Sequence, residues 1–156
     1  MTTVKKFYAV FDTNVLVSAL MSVRQDSPTV RLLDYVLDEH ILLLYNDEIL
    51  REYDDVLHRD KFHFSKERIK AVLELVKTGL SLDPTTSSEN FPDPDDRVFY
   101  EVAMSKDGSY VVTGNQRHFP PQAHRGFACR ISCHGGRGNP QNQIRSSVTS
   151  NCVSRR

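Results

Sequence analysis

Acidic side chains cluster at three separated places in this chain. Asp12 closes the apolar run Phe7 to Phe11 in FDTN; Asp93, Asp95 and Asp96 crowd FPDPDDRVF; and Glu48, Glu52 and Asp54 lie along NDEILREYDDVL. Asn115, in VTGN, supplies a further oxygen just past another apolar run. Carboxylates brought into one pocket repel each other, and the usual remedies are protonation or a bound cation. Hard oxygen donors favour Mg²⁺ or Mn²⁺. Such a centre suits phosphoryl chemistry, because a bound metal lowers the pKa of a water and neutralises charge on the leaving oxygen, with no histidine base required. An acid after a strand is also a common helix cap, so the joint pattern carries the reading rather than any single residue.

These groups need elements to position them. Phe7 to Phe11, Ile41 to Tyr45 and Tyr110 to Thr113 read as short buried strands. Between them lie helical patterns. Ser27 is a cap with Pro28 at the first helical position, before Val30, Leu33, Val36 and Leu37. Asn46 caps a helix whose apolar face is Ile49, Tyr53, Val56 and Leu57. From Ser65 a further helix carries Ile69, Val72, Leu73, Val76 and Leu80, with Gly79 near its end, and Asp93-Pro94 opens another. Residues 83–92 read as a loop. Strands alternating with helices predict an α/β domain with a mostly parallel sheet and helices on both faces. In such sheets ligands gather beyond the carboxyl ends of the strands, where strand order reverses, which is where Asp12 and Asn115 would fall. Glu52 borders the buried stripe of its helix on one edge and Asp54 on the other, and helical geometry does not choose between them.

The chain of 156 residues is one domain by length, and 39% hydrophobic against 26% charged residues supplies one core. No apolar run approaches a membrane span, and Asp12 interrupts the N-terminal one before a secretory segment could form, so the expectation is a cytoplasmic protein with no membrane contact. The zero net charge hides an asymmetry: residues 121–156 hold six Arg, no Lys and no acid, leaving 14 bases against 20 acids before them. All three cysteines lie in that basic segment, an odd count that describes no disulfide framework, and Cys129, Cys133, His134 and Cys152 match no compact zinc module.

Four blocks in order, FDTNVLVSAL, NDEILREYDDVLHRDKF, FPDPDDRVFYEVA and VVTGNQRHFP, resemble the PIN-domain ribonucleases, especially toxins of bacterial toxin-antitoxin systems. The resemblance spans roughly residues 6–120 and implies a PIN-like three-layer sandwich over residues 1–122. It implies a metal-dependent endoribonuclease, with Asp12, Glu52 and Asp96 as the metal ligands and Asn115 as the fourth catalytic position, often Asp in the wider family. Asp93, Thr113 and Asn14 rank second. The implied cofactor is Mg²⁺ or Mn²⁺, and the implied partners are an RNA substrate and an antitoxin protein, with room for a homodimer. The alternative is a catalytically weak PIN-fold module that binds RNA or a protein. A phospho-aspartate phosphatase is disfavoured because its motif wants a second Asp where Asn14 stands. His118, before Phe119-Pro120, reads as structural. Residues 123–156 depart from the family pattern and read as a basic tail, disordered or produced by a change of reading frame, in which only Phe127 to Ile131 alternates like a strand.

Overall fold

The computed structural model describes residues 6–88, 90–114, 118 and 119, and the backbone of Ala128–Arg130. The chain order is β1 (Phe7–Phe11), α1 (Thr13–Met21), α2 (Pro28–Leu37), β2 (Ile41–Tyr45), α3 (Asp47–Leu57), α4 (Lys66–Lys77), β3 (Leu80–Ser81), α5 (Arg97–Met104), β4 (Tyr110–Thr113) and β5 (Ala128–Arg130). Short 3-10 turns at Asp60–Phe62 and Pro94–Asp96 precede α4 and α5. The strands form one parallel sheet in the order β3-β2-β1-β4-β5. Parallel neighbours cannot be joined by hairpins, so helices supply the crossovers. The result is the expected α/β sandwich with helices on both faces.

Burial explains the strand composition. Ala9, Val10 and Phe11 in β1, Leu43 and Leu44 in β2, and Val111, Val112 and Thr113 in β4 are buried at consecutive positions, as a sheet covered on both faces requires. The caps follow from local chemistry. The side chains of Ser27, Asn46 and Ser65 accept hydrogen bonds from the backbone N–H of Val30, Ile49 and Arg68, satisfying donors that the first helical turn leaves open. Residues 83–88 form the expected loop, yet it is tied down: the Thr85 N–H donates to the Glu101 carbonyl at 3.2 Å, and the Ser87 N–H to the Glu101 carboxylate at 2.8 Å.

Two expectations about element ends need correction. The helix from Ser65 ends at Lys77, and Leu80 belongs to β3, a two-residue edge strand beside β2. Gly79 is the physical reason, since a Cβ there would lie 1.9 Å from the carbonyl oxygen of Leu43. It permits the backbone of the α4 exit to press onto β2. Asp93-Pro94 opens a 3-10 turn rather than α5 itself, which starts at Arg97. Within the basic segment 123–156, β5 pairs with β4 through Ala128, Cys129 and Arg130, inside the stretch whose sequence alternates like a strand. The rest of that segment, and the boundary at 122, lie outside the described residues. Among the described residues no helix is long and apolar enough to cross a membrane.

Replacing Gly79 by Ala tests the packing of α4 on β2. With backbone rather than a flexible side chain in the way, the variant should lose roughly 2–4 kcal/mol of stability, read from denaturant melts. Wild-type stability would show that the two backbones do not touch.

Candidate active site

The chain runs from β1 to β2 and β3 on one side of the sheet, then crosses to β4 on the other side of β1. Strand order therefore reverses between β1 and β4, and a crevice opens at their carboxyl ends. Asp12 stands there. Its N–H continues the ladder to the Val112 carbonyl at 2.9 Å, so its backbone is fixed against β4. Its side chain is buried with both oxygens held: Oδ2 accepts from the Thr113 hydroxyl at 2.6 Å, and Oδ1 from the Asn14 N–H at 3.3 Å. Asp12 is thus the cap of α1 and also a carboxylate clamped across two strands; capping alone does not account for the bond to Thr113.

Asp96 comes from the turn before α5. It occupies the N-cap position of that helix yet makes no capping hydrogen bond, which leaves its carboxylate for other contacts. Burial, with the nearby Asp12 carboxylate adding to it, pushes the Asp96 carboxyl up to about 6, against the pull of His118. Glu52 comes from α3 and is half-buried. Desolvation raises its carboxyl, Arg59 opposes this, and Asp95, Asp55 and Asp12 reinforce it. The next residue, Tyr53, is buried with its hydroxyl donating to the Phe11 carbonyl and its ring stacked on Phe99 at 6.1 Å. Its phenol is raised well above the ordinary range by burial and then by Asp12 and Glu52. Tyr53 therefore ties α3 to the end of β1, and with it places Glu52 near Asp12. Asp54, the other acid at that stripe, is exposed and pairs with His58 at 3.2 Å.

Asp93 does two things. Its carboxylate accepts from the Asp95 N–H at 3.1 Å, as a cap would, and it also stands beside Asp96 and His118, the three offering ligand atoms within 4.8 Å of one another. Asp12 and Glu52 are outside that group and are linked to it through charge. Asn115 lies outside the described residues. His118, read from the sequence as structural, has Nδ1 2.7 Å from Asp96 Oδ2. Its apolar neighbour Phe119 takes the buried position, and His118 stays partly exposed beside the carboxylate. The available signal was its place within VTGNQRHFP, three residues beyond Asn115.

A family model described as PIN domain matches residues 8–117, and the chain belongs to that family. PIN domains are generally nucleases and typically bind a divalent metal, so the class of protein is nuclease-like. No curated protein and no solved structure matches the chain. The donor chemistry fits a divalent cation, since carboxyls raised by burial and by one another gain most when a positive charge joins them.

The raised Asp96 sets a pH signature in metal-free protein. Its folded value of about 6 exceeds the ordinary carboxylate value, so the fold favours the protonated form. The contribution is intact below about pH 4 and is lost as pH rises through about 6. Asp96→Asn keeps an acceptor for His118 and should be more stable than wild type by about 2 kcal/mol at neutral pH, less than the shift alone implies because water reaches the His118 side. The gap should close as pH falls towards 4, in thermal melts with chelator present. A gap independent of pH would show that Asp96 ionises freely.

Proposed function

We propose that this protein is a Mg²⁺- or Mn²⁺-dependent endoribonuclease that hydrolyses RNA phosphodiester bonds. The observation that carries the reading is the buried Asp12, held by Thr113 and Asn14 where strand order reverses, beside an Asp96 whose carboxyl its charge helps to raise. Asp12, Glu52 and Asp96 would hold the cation, with Asn115 as the fourth oxygen. When bound, the metal supplies Lewis acidity, an activated water and charge neutralisation at the leaving oxygen. The chain's own residues do the positioning. Thr113 and Asn14 fix the rotamer of Asp12, Tyr53 fixes the approach of α3, and His118 steadies one oxygen of Asp96. The resemblance to toxins suggests inhibition by an antitoxin segment that lays a basic side chain among the carboxylates, where a charge-assisted bond would take the place of the metal.

One observation favours a second reading, a PIN-fold module that binds RNA or a protein without cutting. His118 already engages Asp96 at 2.7 Å, which lessens the negative charge available to a cation. The two readings separate in one assay. Purified protein with labelled single-stranded RNA should cleave when Mn²⁺ is added and stop in excess EDTA. Asp12→Asn should abolish cleavage while melting within a few degrees of wild type, because the amide retains an oxygen for Asn14 and an N–H for the Thr113 oxygen. Cleavage undiminished by EDTA would refute the metal-dependent reading. RNA binding with no cleavage in Mn²⁺ or Mg²⁺ would establish the second.

A further inference from the structure

A cleft of about 250 Å³ is lined by Asn14, two residues after Asp12, and by Gly114. One wall is Asn14 and Ser18, exposed on α1, with the half-buried Ser22 just past its end; the opposite wall is the start of α2, with its cap Ser27 and Thr29; Gly114 forms the end. Val15 and Pro28 supply apolar surface between them. The cleft starts at the two partners of the central carboxylate: the Asn14 N–H bonds Asp12 directly, and Gly114 follows Thr113, whose hydroxyl bonds the other oxygen.

Among the described residues the lining carries no charged side chain, although 26% of the chain is charged. From these residues a phosphate or a carboxylate would find no counter-charge. An uncharged planar group with a polar edge fits better, packing on Val15 and Pro28 and reaching the hydroxyls. Ser18 Oγ and Thr29 Oγ1 are 3.4 Å apart, at the limit of a hydrogen bond, and exchange that contact for a ligand at little cost.

Gly114 gives the second, independent observation. Its φ does not lie in the left-handed region, and a Cβ built on it meets no described atom within 4 Å. Neither backbone conformation nor packing against the described residues therefore calls for glycine here, in contrast to Gly79. What a side chain at 114 would occupy is the end of the cleft.

We propose that this cleft receives the base and sugar of the single RNA nucleotide flanking the scissile phosphate, and that Gly114 is glycine to keep the space open for it. The proposal rests on the reading of the site as a ribonuclease. Placed this way, the nucleotide's own phosphate points towards Asp12 and away from the uncharged walls. Hydroxyls both donate and accept, and among the described residues no aromatic side chain lines the cleft to stack on a base, so discrimination among the four bases should be weak.

The experiment pairs ligand binding with kinetics. In metal-free, ¹⁵N-labelled protein, titration with each uncharged nucleoside should shift the amides of Asn14, Ser18 and Gly114, with no phosphate to be repelled by the neighbouring carboxylates. Ribose, which lacks the base, should shift them far less. Gly114→Val should abolish the response, and Gly114→Ala should weaken it without change in melting temperature. In the cleavage assay Gly114→Val should raise KM roughly tenfold, with kcat and Mn²⁺ affinity little altered, since what is removed is ground-state binding. Equal shifts with ribose, no shifts with any nucleoside, or an unchanged KM in Gly114→Val would each overturn the proposal. Base-dependent shifts in a protein that never cleaves RNA would keep the cleft as a nucleotide site and remove only the nuclease reading.

Discussion

Everything in this structure that bears on function depends on one buried carboxylate. Asp12 is 3% exposed at the end of a strand whose preceding residues are apolar and fully packed. An ionised group in such a place needs polar partners, and the fold supplies them from both sides: the first turn of α1 and the last residue of β4. The reversal of strand order makes this arrangement available, because it brings the end of a strand distant in sequence beside the end of β1. Moving β4 would leave Asp12 without Thr113, and moving α1 would leave it without Asn14.

The remaining acids are placed by packing rather than by direct bonds to Asp12. Tyr53 donates to the Phe11 carbonyl and stacks on Phe99, so a single aromatic residue joins β1, α3 and α5 immediately behind the site. That junction sets Glu52 on one side. The turn at Pro94–Asp96 sets Asp96 on another, and the loop before it is anchored along α5 by Glu101 and Ser105. Raised carboxyls at Glu52 and Asp96 are the electrostatic cost of bringing negative groups together out of water. A structure built only for stability would avoid that cost, whereas one that binds a cation recovers it on binding.

Much of this was legible in the sequence, for physical reasons that differ by residue. Asp12 was visible because an acid ending a buried apolar run is conspicuous. Ser27, Asn46 and Ser65 were visible because capping is a local rule. The edge strand at Leu80–Ser81 was not, since two exposed residues carry no periodicity and their state is set by the neighbour β2. Gly79 read as a helix terminator, yet its tightest requirement is the Leu43 carbonyl, a contact that no local pattern encodes. The partner of His118 was not legible for a similar reason: Asp96 lies 22 residues earlier, and the apolar neighbours of His118 describe the burial of Phe119. Helical geometry left Glu52 and Asp54 equivalent, and it is tertiary packing around Tyr53 that makes their surroundings differ.

The central claim is that Asp12 and Asp96 act together as a cation site. Manganese titration followed by electron paramagnetic resonance tests it most directly, because free Mn²⁺ is counted without reference to any substrate. The account predicts binding by wild type at about pH 7.5, weakening towards about pH 5 as Asp96 takes up a proton, with affinity at least about tenfold lower in both Asp12→Asn and Asp96→Asn. Mn²⁺ bound equally well by either variant, or with no dependence on pH across that range, would contradict it.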